Sequence, residues 1–409
     1  MRVAYIVPYV PNQIRTRSYN LIIHLSKLGH EVDVFTVGSN NMDRQEAKTL
    51  GSKCAKAIYY HQPLWRSLTN SLGASISGRP LQSVYSWQPE LARYLVDVFS
   101  ENSGSPYDIV HVEHLRGSQY GVWLKLRFPD QSIVWDSVDC ISHLFKQASA
   151  QSTDLFGKLI TRFELNRTRK LEGKLLNCFD HVLVTSSVDR AALLNLTQNG
   201  RKPAPISVLS NGVDQIFFHP NPEIERDTET LVFSGKMSYH ANISMVKYLV
   251  AEIMPRIWKT RPAARLYIVG KDPSAEVKEL EKNSLIKVTG TVDDIRPFLW
   301  SATVSVVPLL YGAGIQNKIL EAMATRTPVV TTSRALSALN VKAGKQLLVA
   351  DAPDEFSQAI LHLMENRDIL DAIGDAGTSY VRNHHSWTSI AARLVDIYQQ
   401  TLNLKRRSF

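Results

Sequence analysis

Short apolar strands that alternate with helix-length segments are the feature that most limits how this chain can fold. The strand RVAYIV (2–7) is followed by the helical pattern RSYNLIIHLSKLGH (17–30) and then by a second strand, EVDVFTV (31–37). A strand, a helix and a strand in this order form the unit of a parallel sheet, because the helix carries the chain back across the sheet face. The sequence therefore predicts an α/β protein with doubly wound parallel sheets.

The strands fall into two series. The first series continues through YDIVHVE, SIVWDSV and HVLVTSS. The second begins at ISVLSNGVD and continues through TLVFSG, ARLYIVG, LIKVTG, TVSVVPLL, TPVVTTS and QLLVA. The turn-rich stretch 210–230 lies near the join and marks the linker. Ligands of open parallel sheets bind beyond the carboxyl ends of the strands, so two facing sheets predict a ligand cleft between them.

Length and composition suit two domains. With 409 residues and 44% hydrophobic content, the chain is long enough for two cores. We expect one domain at 1–205, a second at 206–385 and a closing segment at 386–409 that ends in a basic tail. The apolar spacing of Trp387, Ile390, Leu394 and Ile397 predicts a final amphipathic helix. Two histidines, 384 and 385, are expected at the surface near its start.

Cysteine usage and charge limit the class of protein. The three cysteines have no C-x-x-C spacing, which disfavours a disulfide framework and a zinc site and predicts a cytoplasmic protein. No window reaches the roughly 18 consecutive apolar residues of a membrane span. The net charge is +9, and its densest parts are 158–174 and 405–409. Phosphorylated ligands, the anionic inner face of a membrane, or merely a solvated helix face would each explain this charge. Nucleic acid is disfavoured, because no aromatics are interleaved with the basic residues.

The loop and helix YGAGIQNKILEAMATRTPVV (311–330) predict an anion site. Its two glycines permit sharp turns before a helix that begins near Asn317, and the free N–H groups of 314–318 at such a terminus attract phosphate. Lys318 stands where a plain helix start would gain more from an acid, which indicates a bound anion. Glu321 is placed to accept hydrogen bonds from sugar hydroxyls, although a solvated carboxylate is the alternative. A dinucleotide fingerprint lacks its third glycine here, which disfavours a dehydrogenase.

An ordered series of motifs carries a resemblance. It runs NGVD (211–214), FSGKM (233–237), YIVG (267–270), VTGTVDDIRPFL (288–299) and GIQNKILEAMATRTPVV (314–330). This series resembles the nucleotide-sugar half of the retaining glycosyltransferases of family 4 (group 1), which have the GT-B fold of two Rossmann-like domains facing across a cleft. LSKLGHEVDVFT and DHVLVTSS resemble the amino half. GIQNK together with RPFL is most similar to bacterial exopolysaccharide-type sugar transferases.

The resemblance implies roles for several residues of the carboxyl half. Glu321 matches the second glutamate of the family's E-x7-E motif, which binds the ribose, whereas the first glutamate is replaced by Ala313. Lys236 matches the diphosphate-binding arginine. The lysine expected five residues later is Ala241, so we expect Lys318 to supply the missing charge.

The same resemblance assigns the rest of the donor site. It places the nucleobase at the backbone of Val292, and the diphosphate loop comprises Gly314, Ile315, Gln316 and Asn317. Either Gln316 or Asn317 is a candidate to bind the donor sugar in place of the glutamate that Ala313 replaces.

In the amino half, Arg15 and Arg17 occupy the place where relatives have a glycine pair, ahead of a helix. They are candidates to grip donor or acceptor phosphates, with a plain surface role as the alternative. The family's acceptor-side histidine is missing from WDSVDCIS, so Asp139 is the candidate acid or base, followed by His114. Either residue is equally open to a structural role.

The chain contains no Asp-x-Asp pair, which predicts a metal-free site without a cofactor. Lys236, Lys318 and the helix terminus would then stabilise the leaving diphosphate. The resemblance implies a hexosyltransferase-type enzyme that moves a sugar, with retention, from a nucleotide diphosphate sugar to a glycan or lipid-linked acceptor in exopolysaccharide or cell-surface polysaccharide synthesis. A GT-B epimerase of nucleotide sugars and a degenerate, nucleotide-binding subunit remain alternatives. The base, the sugar and the acceptor stay open.

Overall fold

The computed structural model describes residues 1–13, 15–100, 106–151, 155–197, 203–311, 315–336 and 339–406. The chain divides into two compact units. Unit 1 comprises Met1–Ser210 and Trp387–Phe409, and unit 2 comprises Asn211–Ser386. Each unit is built around one parallel sheet with helices, of seven and six strands respectively. The predicted fold class, two Rossmann-like α/β domains, is confirmed.

Unit 1 contains a seven-stranded sheet in the order β3-β2-β1-β4-β5-β6-β7. All its strand pairs are parallel. The strands are β1 (Arg2–Val7), β2 (Glu31–Gly38), β3 (Lys56–His61), β4 (Ile109–Glu113), β5 (Ile133–Val138), β6 (His181–Val184) and β7 (Ile206–Val208). The helices are α1 (Thr16–Lys27), α2 (Asn41–Gly51), α3 (Leu64–Ser77), α4 (Leu81–Val84), α5 (Pro89–Ser100), α6 (His114–Arg127), α7 (Ile141–Gln151), α8 (Leu155–Leu175) and α9 (Ser187–Leu194).

The alternation of side chains along each strand divides the core of unit 1 in two. Val3 and Tyr5 of β1 pack in one cluster with Leu21 of α1. Ala4 and Ile6 of the same strand pack in the other cluster, with α5 and α6. Successive side chains of a strand point to opposite faces, so a strand covered on both faces needs apolar residues at every position. This requirement explains the continuous apolar runs in the sequence.

Unit 2 contains a six-stranded parallel sheet in the order β10-β9-β8-β11-β12-β13. The strands are β8 (Thr230–Ser234), β9 (Arg265–Val269), β10 (Ile286–Gly290), β11 (Val304–Val307), β12 (Val329–Thr331) and β13 (Leu348–Val349). The helices are α10 (His240–Tyr248), α11 (Met254–Thr260), α12 (Ala275–Lys278), α13 (Arg296–Ser301), α14 (Asn317–Ala324), α15 (Ser333–Leu336), α16 (Pro353–Glu365) and α17 (Arg367–His384). A π-helical turn (Leu249–Ile253) joins α10 to α11, and a 3-10 turn (Glu279–Lys282) follows α12.

The last helix, α18 (Trp387–Arg406), packs in unit 1. Its predicted apolar positions are all buried, and they share a cluster with α1. Two hydrogen bonds also fix the position of α18. The Tyr398 hydroxyl lies 2.7 Å from His111 Nδ1, and the Thr401 hydroxyl lies 3.2 Å from His181 Nδ1. Both histidines lie in the strands of the sheet, so α18 is tied to the sheet by hydrogen bonds as well as by apolar packing.

Two expectations about the elements are wrong, and one strand is missed. The sequence pattern assigns ISVLS to the second series, but Ile206 pairs with Val182 of β6, which makes β7 the last strand of unit 1. The edge strand β3 is not predicted; its four central residues are only half-buried, which weakens the apolar signal. His385 is expected at the surface, yet it is 4% exposed, because its ring contacts the Asn211 carbonyl oxygen at 2.8 Å.

In both sheets the strand order reverses beside the first strand. In unit 1 the reversal lies between β1 and β4, and in unit 2 between β8 and β11. At such a switch point the connecting loops diverge to opposite faces and leave a crevice beyond the carboxyl ends of the strands, where ligands of doubly wound sheets bind. The two switch points are therefore where functional side chains are expected.

Candidate functional site

The switch point of unit 2 brings together two segments that are far apart in the sequence. Gly235 and Lys236 directly follow β8, while α14 follows β11 and carries Lys318 and Glu321. Strands β8 and β11 are paired neighbours, so both segments lie at the same edge of the sheet. The structure thus collects the residues that the sequence assigned to an anion site.

Gly235 lets the backbone pass closely at this edge. Its φ is +152°, and its N–H donates to the Val269 carbonyl oxygen at 3.0 Å. Gly270 directly follows the neighbouring strand β9 and has φ +146°, and an added Cβ there would lie 1.8 Å from the Gly235 carbonyl oxygen. A side chain at either position is thus excluded by backbone conformation or by overlap. The two glycines make a smooth floor beyond β8 and β9.

The buried Lys318 ammonium points to this floor. Its Nζ donates to Asn242 Oδ1 at 2.7 Å and lies 4.2 Å from the ring centroid of Phe233. Asn242 in turn donates from Nδ2 to the Lys236 carbonyl oxygen at 2.9 Å. A Cβ at Gly235 would lie 3.0 Å from Lys318 Nζ, so the ammonium sits directly beside the chain after β8. The Asn242 amide therefore fixes Lys318 against the Gly235–Lys236 turn.

Lys318, which is buried, and Glu321, which is half-buried, lie about one helical turn apart in α14. Burial lowers the pKa of Lys318 to about 7, and the charge of Glu321 opposes this shift. Burial raises the pKa of Glu321 to about 7, and Lys318 opposes that shift. Both groups are poised to change protonation near neutrality. An anion bound beside Lys318 would favour its charged form, since an opposite charge within a few Å raises a lysine pKa.

Lys236 supplies a second, accessible cation at the same edge. Its side chain is 55% exposed, and Nζ lies 3.7 Å from Asp272 Oδ2. An exposed ion pair at this distance is weak and open to exchange. Lys236 is therefore able to turn from Asp272 to a bound anion, in contrast to the fixed Lys318.

The remaining loop residues are placed as follows. Gly314 and Ala313 lie outside the described residues. Ile315 is buried in the unit 2 core, Gln316 is the N-cap of α14, and the Asn317 carboxamide oxygen accepts from Asn211 Nδ2 at 3.2 Å. Ile315 thus anchors the loop, and the two polar residues lie at the helix start.

Two stacked aromatic rings lie at the beginning of the same loop. The rings of Tyr311 and His240 stack with centroids 5.5 Å apart, and the tyrosine hydroxyl lies 2.7 Å from His240 Nδ1. Since His240 begins α10, this pair ties the loop after β11 to the helix that carries Asn242. Val292 follows β10 and packs partly buried against the unit 2 core, which leaves its backbone role a prediction.

In unit 1, two non-glycine residues with positive φ mark the ends of β4 and β5. His114 has φ 65° and Val138 has φ 67°. A left-handed conformation costs an L-residue about 1–2 kcal/mol, and it is most unusual for a β-branched side chain. Such strain clusters at functional sites. The strand order places both residues near the switch point of this sheet.

Asp139 and His114 follow these neighbouring strands. Burial raises the pKa of Asp139 to about 7, with a contribution from the charge of Asp189, and Thr185 Oγ1 donates to its carboxylate at 3.2 Å. Burial lowers the pKa of His114 to about 4, and nearby Arg116 lowers it further. Near neutral pH, Asp139 is therefore able to exchange a proton, while His114 is a neutral imidazole. These states suit an acid or base and a hydrogen-bonding residue respectively.

The two arginines differ in accessibility. Arg15, the N-cap of α1, is 42% exposed and donates to the Val10 carbonyl oxygen at 3.0 Å. Arg17, which the resemblance places ahead of the helix, is the second residue of α1 and is 6% exposed. Its Nε donates to Asp136 Oδ2 at 2.9 Å, and its Nη1 donates to the Leu209 carbonyl oxygen at 3.0 Å. Arg17 therefore joins elements inside unit 1, and a phosphate contact stays a prediction for both arginines.

Sequence reasoning missed two groups of residues. Asn242, which holds Lys318, has no local signal beyond its place one residue after Ala241. Glu113 accepts hydrogen bonds from the hydroxyls of Tyr5 and Tyr9, the former at 2.7 Å, and burial raises its pKa to about 7. These partners are more than a hundred residues apart along the chain, so no spacing rule connects them.

Within the described part of the chain, no group of three or more His, Cys, Asp or Glu side chains is arranged to hold a metal ion. None of the helices described is both long and apolar enough to cross a bilayer.

Comparison with known proteins identifies both halves. Residues 14–212 match the family model described as "Glycosyl transferase 4-like domain". Residues 228–366 match the model described as "Glycosyl transferases group 1". The second match contains Lys236, Asn242, Lys318 and Glu321, and the first contains Arg15, Arg17, His114 and Asp139.

Individual proteins resemble the chain along most of its length. An "Uncharacterized 44.6 kDa protein in cps region" of Klebsiella pneumoniae is 23% identical over 379 residues, which are 88% of this chain and 89% of the relative. The structure of sucrose-phosphate synthase from Thermosynechococcus elongatus has a TM-score of 0.68 at 18% identity, covering 99% and 100% of the two chains. Anabaena HepE in complex with UDP has a TM-score of 0.67 at 13% identity, covering 98% and 100%. With a 4-like domain at 14–212 and a group 1 domain at 228–366, this chain is a glycosyltransferase.

Proposed function

We propose that the enzyme transfers a sugar from a nucleotide diphosphate sugar, with retention and without a metal ion, to a glycan or lipid-linked acceptor in exopolysaccharide or cell-surface polysaccharide synthesis. The resemblance of GIQNK and RPFL to exopolysaccharide-type transferases supports the pathway. The relative named for a cps region is compatible with it. The reaction would take place in the cytoplasm, at the inner face of the membrane where the acceptor is lipid-linked.

The observation that carries the proposal is the Lys318 ammonium fixed beside the turn at Gly235. The diphosphate of the donor would lie over the two-glycine floor, where no side chain intervenes. Lys318 and Lys236 would contact it from α14 and from the turn. The N-terminal N–H groups of α14 add a positive partial charge to the same place. An anion with two adjacent phosphates suits two cations that approach from separate elements.

These groups would act most strongly on the leaving group. In the transfer, the bond between the anomeric carbon and the phosphate oxygen breaks, and the electron pair stays on the nucleoside diphosphate. A new bond forms from the acceptor oxygen to the same face of the anomeric carbon, and the acceptor's proton ends on the leaving phosphate oxygen, either directly or after passing through the Asp139 carboxylate. Lys236 and Lys318 stabilise the charge that grows on that oxygen, which is the usual largest contribution in such reactions. This account needs no separate metal ion.

Glu321 would bind the ribose. Its carboxylate lies one turn inside α14, away from the phosphate end of the helix, and a charged hydrogen bond to a ribose hydroxyl contributes about 1.5–3 kcal/mol. In unit 1, Asp139 would assist the acceptor hydroxyl as the acid or base, and His114 would donate or accept a hydrogen bond as a neutral ring. Arg15 is the accessible arginine for an acceptor or donor phosphate.

The test is calorimetric titration of the full chain with UDP, GDP, ADP and dTDP and with their common sugars, first without added metal and then with EDTA. Binding of one nucleotide series that resists EDTA is the expected result. The matching nucleotide sugar is then incubated with candidate acceptors, and the product's anomeric configuration is read by NMR. An inverted product would refute retention. Turnover of donor alone would indicate the epimerase, and binding without any transfer would indicate the degenerate subunit.

A further inference from the structure

The large apolar side chains of helix α3 face away from unit 1, whereas small side chains face toward it. Its inward positions Ser67 and Ala74 are each 2% exposed, and Asn70 uses its side chain to donate to the Trp87 carbonyl oxygen at 2.9 Å. Its large apolar side chains face outward instead. They are Leu64 (65% exposed), Trp65 (59%), Leu68 (67%), Leu72 (67%) and Ile76 (86%).

These five outward residues form one continuous stripe, the α3 stripe. At about 100° per residue, the five positions fall within an arc of about 120°. Small polar residues hold the helix to unit 1, so the fold does not need these large apolar groups. Monomeric soluble proteins rarely expose contiguous apolar patches larger than about a few hundred Å², and larger ones mark interaction sites. The α3 stripe therefore indicates a surface that another body covers.

The charges in the chain segment that carries the stripe are of one sign. Between residues 47 and 89 the sequence contains no Asp or Glu. The same stretch contains five cationic residues, Lys48, Lys53, Lys56, Arg66 and Arg79. Arg66 lies within the helix, with its guanidinium 5.0 Å from the Trp65 ring centroid. The partner is expected to be both apolar and anionic.

A basic cleft opens just ahead of α3 along the chain. It has a volume of about 530 Å³ and lies between α2 and β3. Its basic lining residues are Arg44, Lys48 and His61, and Asn40, Asn41 and Tyr59 add hydrogen-bonding groups. His61 ends β3, and α3 begins three residues later at Leu64. A cleft of this size and charge suits a phosphorylated head group.

We propose that the α3 stripe docks unit 1 on an anionic phospholipid surface, with the helix lying in the plane of the interface and a lipid phosphate in the cleft at Arg44 and Lys48. A helix of 14 residues is about 21 Å long, too short to span the roughly 30 Å of a bilayer core. A strong apolar face, a basic surrounding and a tryptophan at one end are the features of helices that lie in the interface.

Charge distinguishes this occupant from a second copy of the chain. In a symmetric dimer the same patch faces itself, so the basic surroundings of one stripe would lie against those of the other. Like charges across an interface oppose association. An anionic lipid surface satisfies both the apolar stripe and the basic residues.

The docking does not depend on the proposed transfer reaction. It would hold the enzyme where a lipid-linked acceptor is found, but the surface is defined by unit 1 alone. Nucleotide binding belongs to unit 2. Failure to dock would leave the proposed reaction intact, and failure to transfer sugar would leave the docking intact.

The test is flotation of the full chain with vesicles of phosphatidylcholine, or of equal parts phosphatidylcholine and phosphatidylglycerol. We expect binding to the anionic vesicles only. The double variant Leu68→Ser/Leu72→Ser should reduce the bound fraction at least about ten-fold. Leu126→Ser, at an outward position of α6 that is 74% exposed, is the matched control and should bind like the wild type. Arg44→Glu/Lys48→Glu should also reduce binding, because it reverses the charge of the cleft.

Three results would overturn the proposal. The first is unchanged flotation of the Leu68→Ser/Leu72→Ser variant, and the second is equal binding to neutral and anionic vesicles. The third is a wild-type dimer in sedimentation that this variant dissociates, since a second copy would then cover the stripe. Thermal unfolding and nucleotide titration of each variant show whether it is folded. Unchanged values are expected, because the substituted side chains are exposed.

Discussion

Replacing Lys318 with methionine tests the buried cation of the proposed nucleotide site. Methionine keeps an unbranched apolar stem beside Phe233 and removes the ammonium held by Asn242. A charge-assisted hydrogen bond to a diphosphate contributes about 1.5–3 kcal/mol, and about 1.4 kcal/mol corresponds to a factor of ten in affinity. At pH 7 the variant should therefore bind its nucleoside diphosphate about 10-fold to 150-fold more weakly than the wild type.

The lowered pKa of Lys318 predicts how the affinity for the nucleotide depends on pH. Burial lowers the pKa of Lys318 to about 7 in the free enzyme, and a bound diphosphate would raise it, because the ammonium then faces negative charge. Above neutrality the ligand must bring a proton onto Lys318. The charged fraction of the free enzyme falls from about one half at pH 7 to about one hundredth at pH 9, so the wild-type affinity should fall about 50-fold over that range.

Isothermal titration at several pH values, in buffers of different ionisation enthalpy, measures both affinity and proton uptake. The wild type should take up close to one proton per nucleotide at pH 9, and Lys318→Met should take up less and show no alkaline decline. Titration of the nucleotide's own phosphate is the same for both proteins and cancels in the comparison. Lys345→Met, at an exposed lysine of unit 2, controls for the removal of one charge. Equal affinities and equal pH profiles for wild type and Lys318→Met would refute the assignment.

Four further substitutions test neighbouring features. Gly235→Ala should lower the free energy of unfolding by about 1–3 kcal/mol in urea titrations, because the φ of Gly235 is +152°. It should also weaken nucleotide binding, and an unchanged affinity would show that the ligand does not lie over Gly235. Glu321→Ala should weaken donor binding about 10-fold to 100-fold, and an unchanged dissociation constant removes it from the site. Lys236→Ala should mainly lower kcat, which a normal rate would disprove. Tyr398→Phe should cost about 1–3 kcal/mol in thermal unfolding, since it removes the hydroxyl 2.7 Å from His111; an unchanged Tm would count against that bond.

The fold is largely readable from the sequence because strands buried on both faces carry continuous apolar runs. RVAYIV corresponds to β1 without a shift at either end, and the fold class is confirmed. The exceptions have physical reasons. Strand β3 lies at the sheet edge, where its central residues are only half-buried, and β7 has three residues, whose membership of unit 1 is decided by pairing with β6. Pairing between distant segments leaves no local pattern.

The site is readable in part. The loop signal points to Lys318, because a lysine at a helix start is unfavourable unless an anion compensates for it, and the resemblance points to Glu321. Both roles stay predictions. The loss of solvent around both groups, which brings their pKa values near neutrality, depends on packing and is not predictable from the local sequence. The ion pair that Arg17 makes with Asp136 is equally unpredictable from the local sequence, because the two residues are 119 positions apart. A phosphate contact of Arg17 stays a prediction.

The position of positive charge in unit 2 shows why motif spacing alone misleads. Along the chain, Ala241 stands where the motif expects a cation of the diphosphate site. In the folded unit, the neighbouring Asn242 binds the ammonium of Lys318, which arrives from α14, 76 positions further along. The ammonium of Lys318 therefore lies beside Asn242, next to the position where the motif expects a cation, and Gly235 leaves space for it. Because this lysine is buried whereas Lys236 is exposed, the two cations differ in kind: one is fixed and able to gain a proton with the ligand, and the other is accessible and able to move toward it.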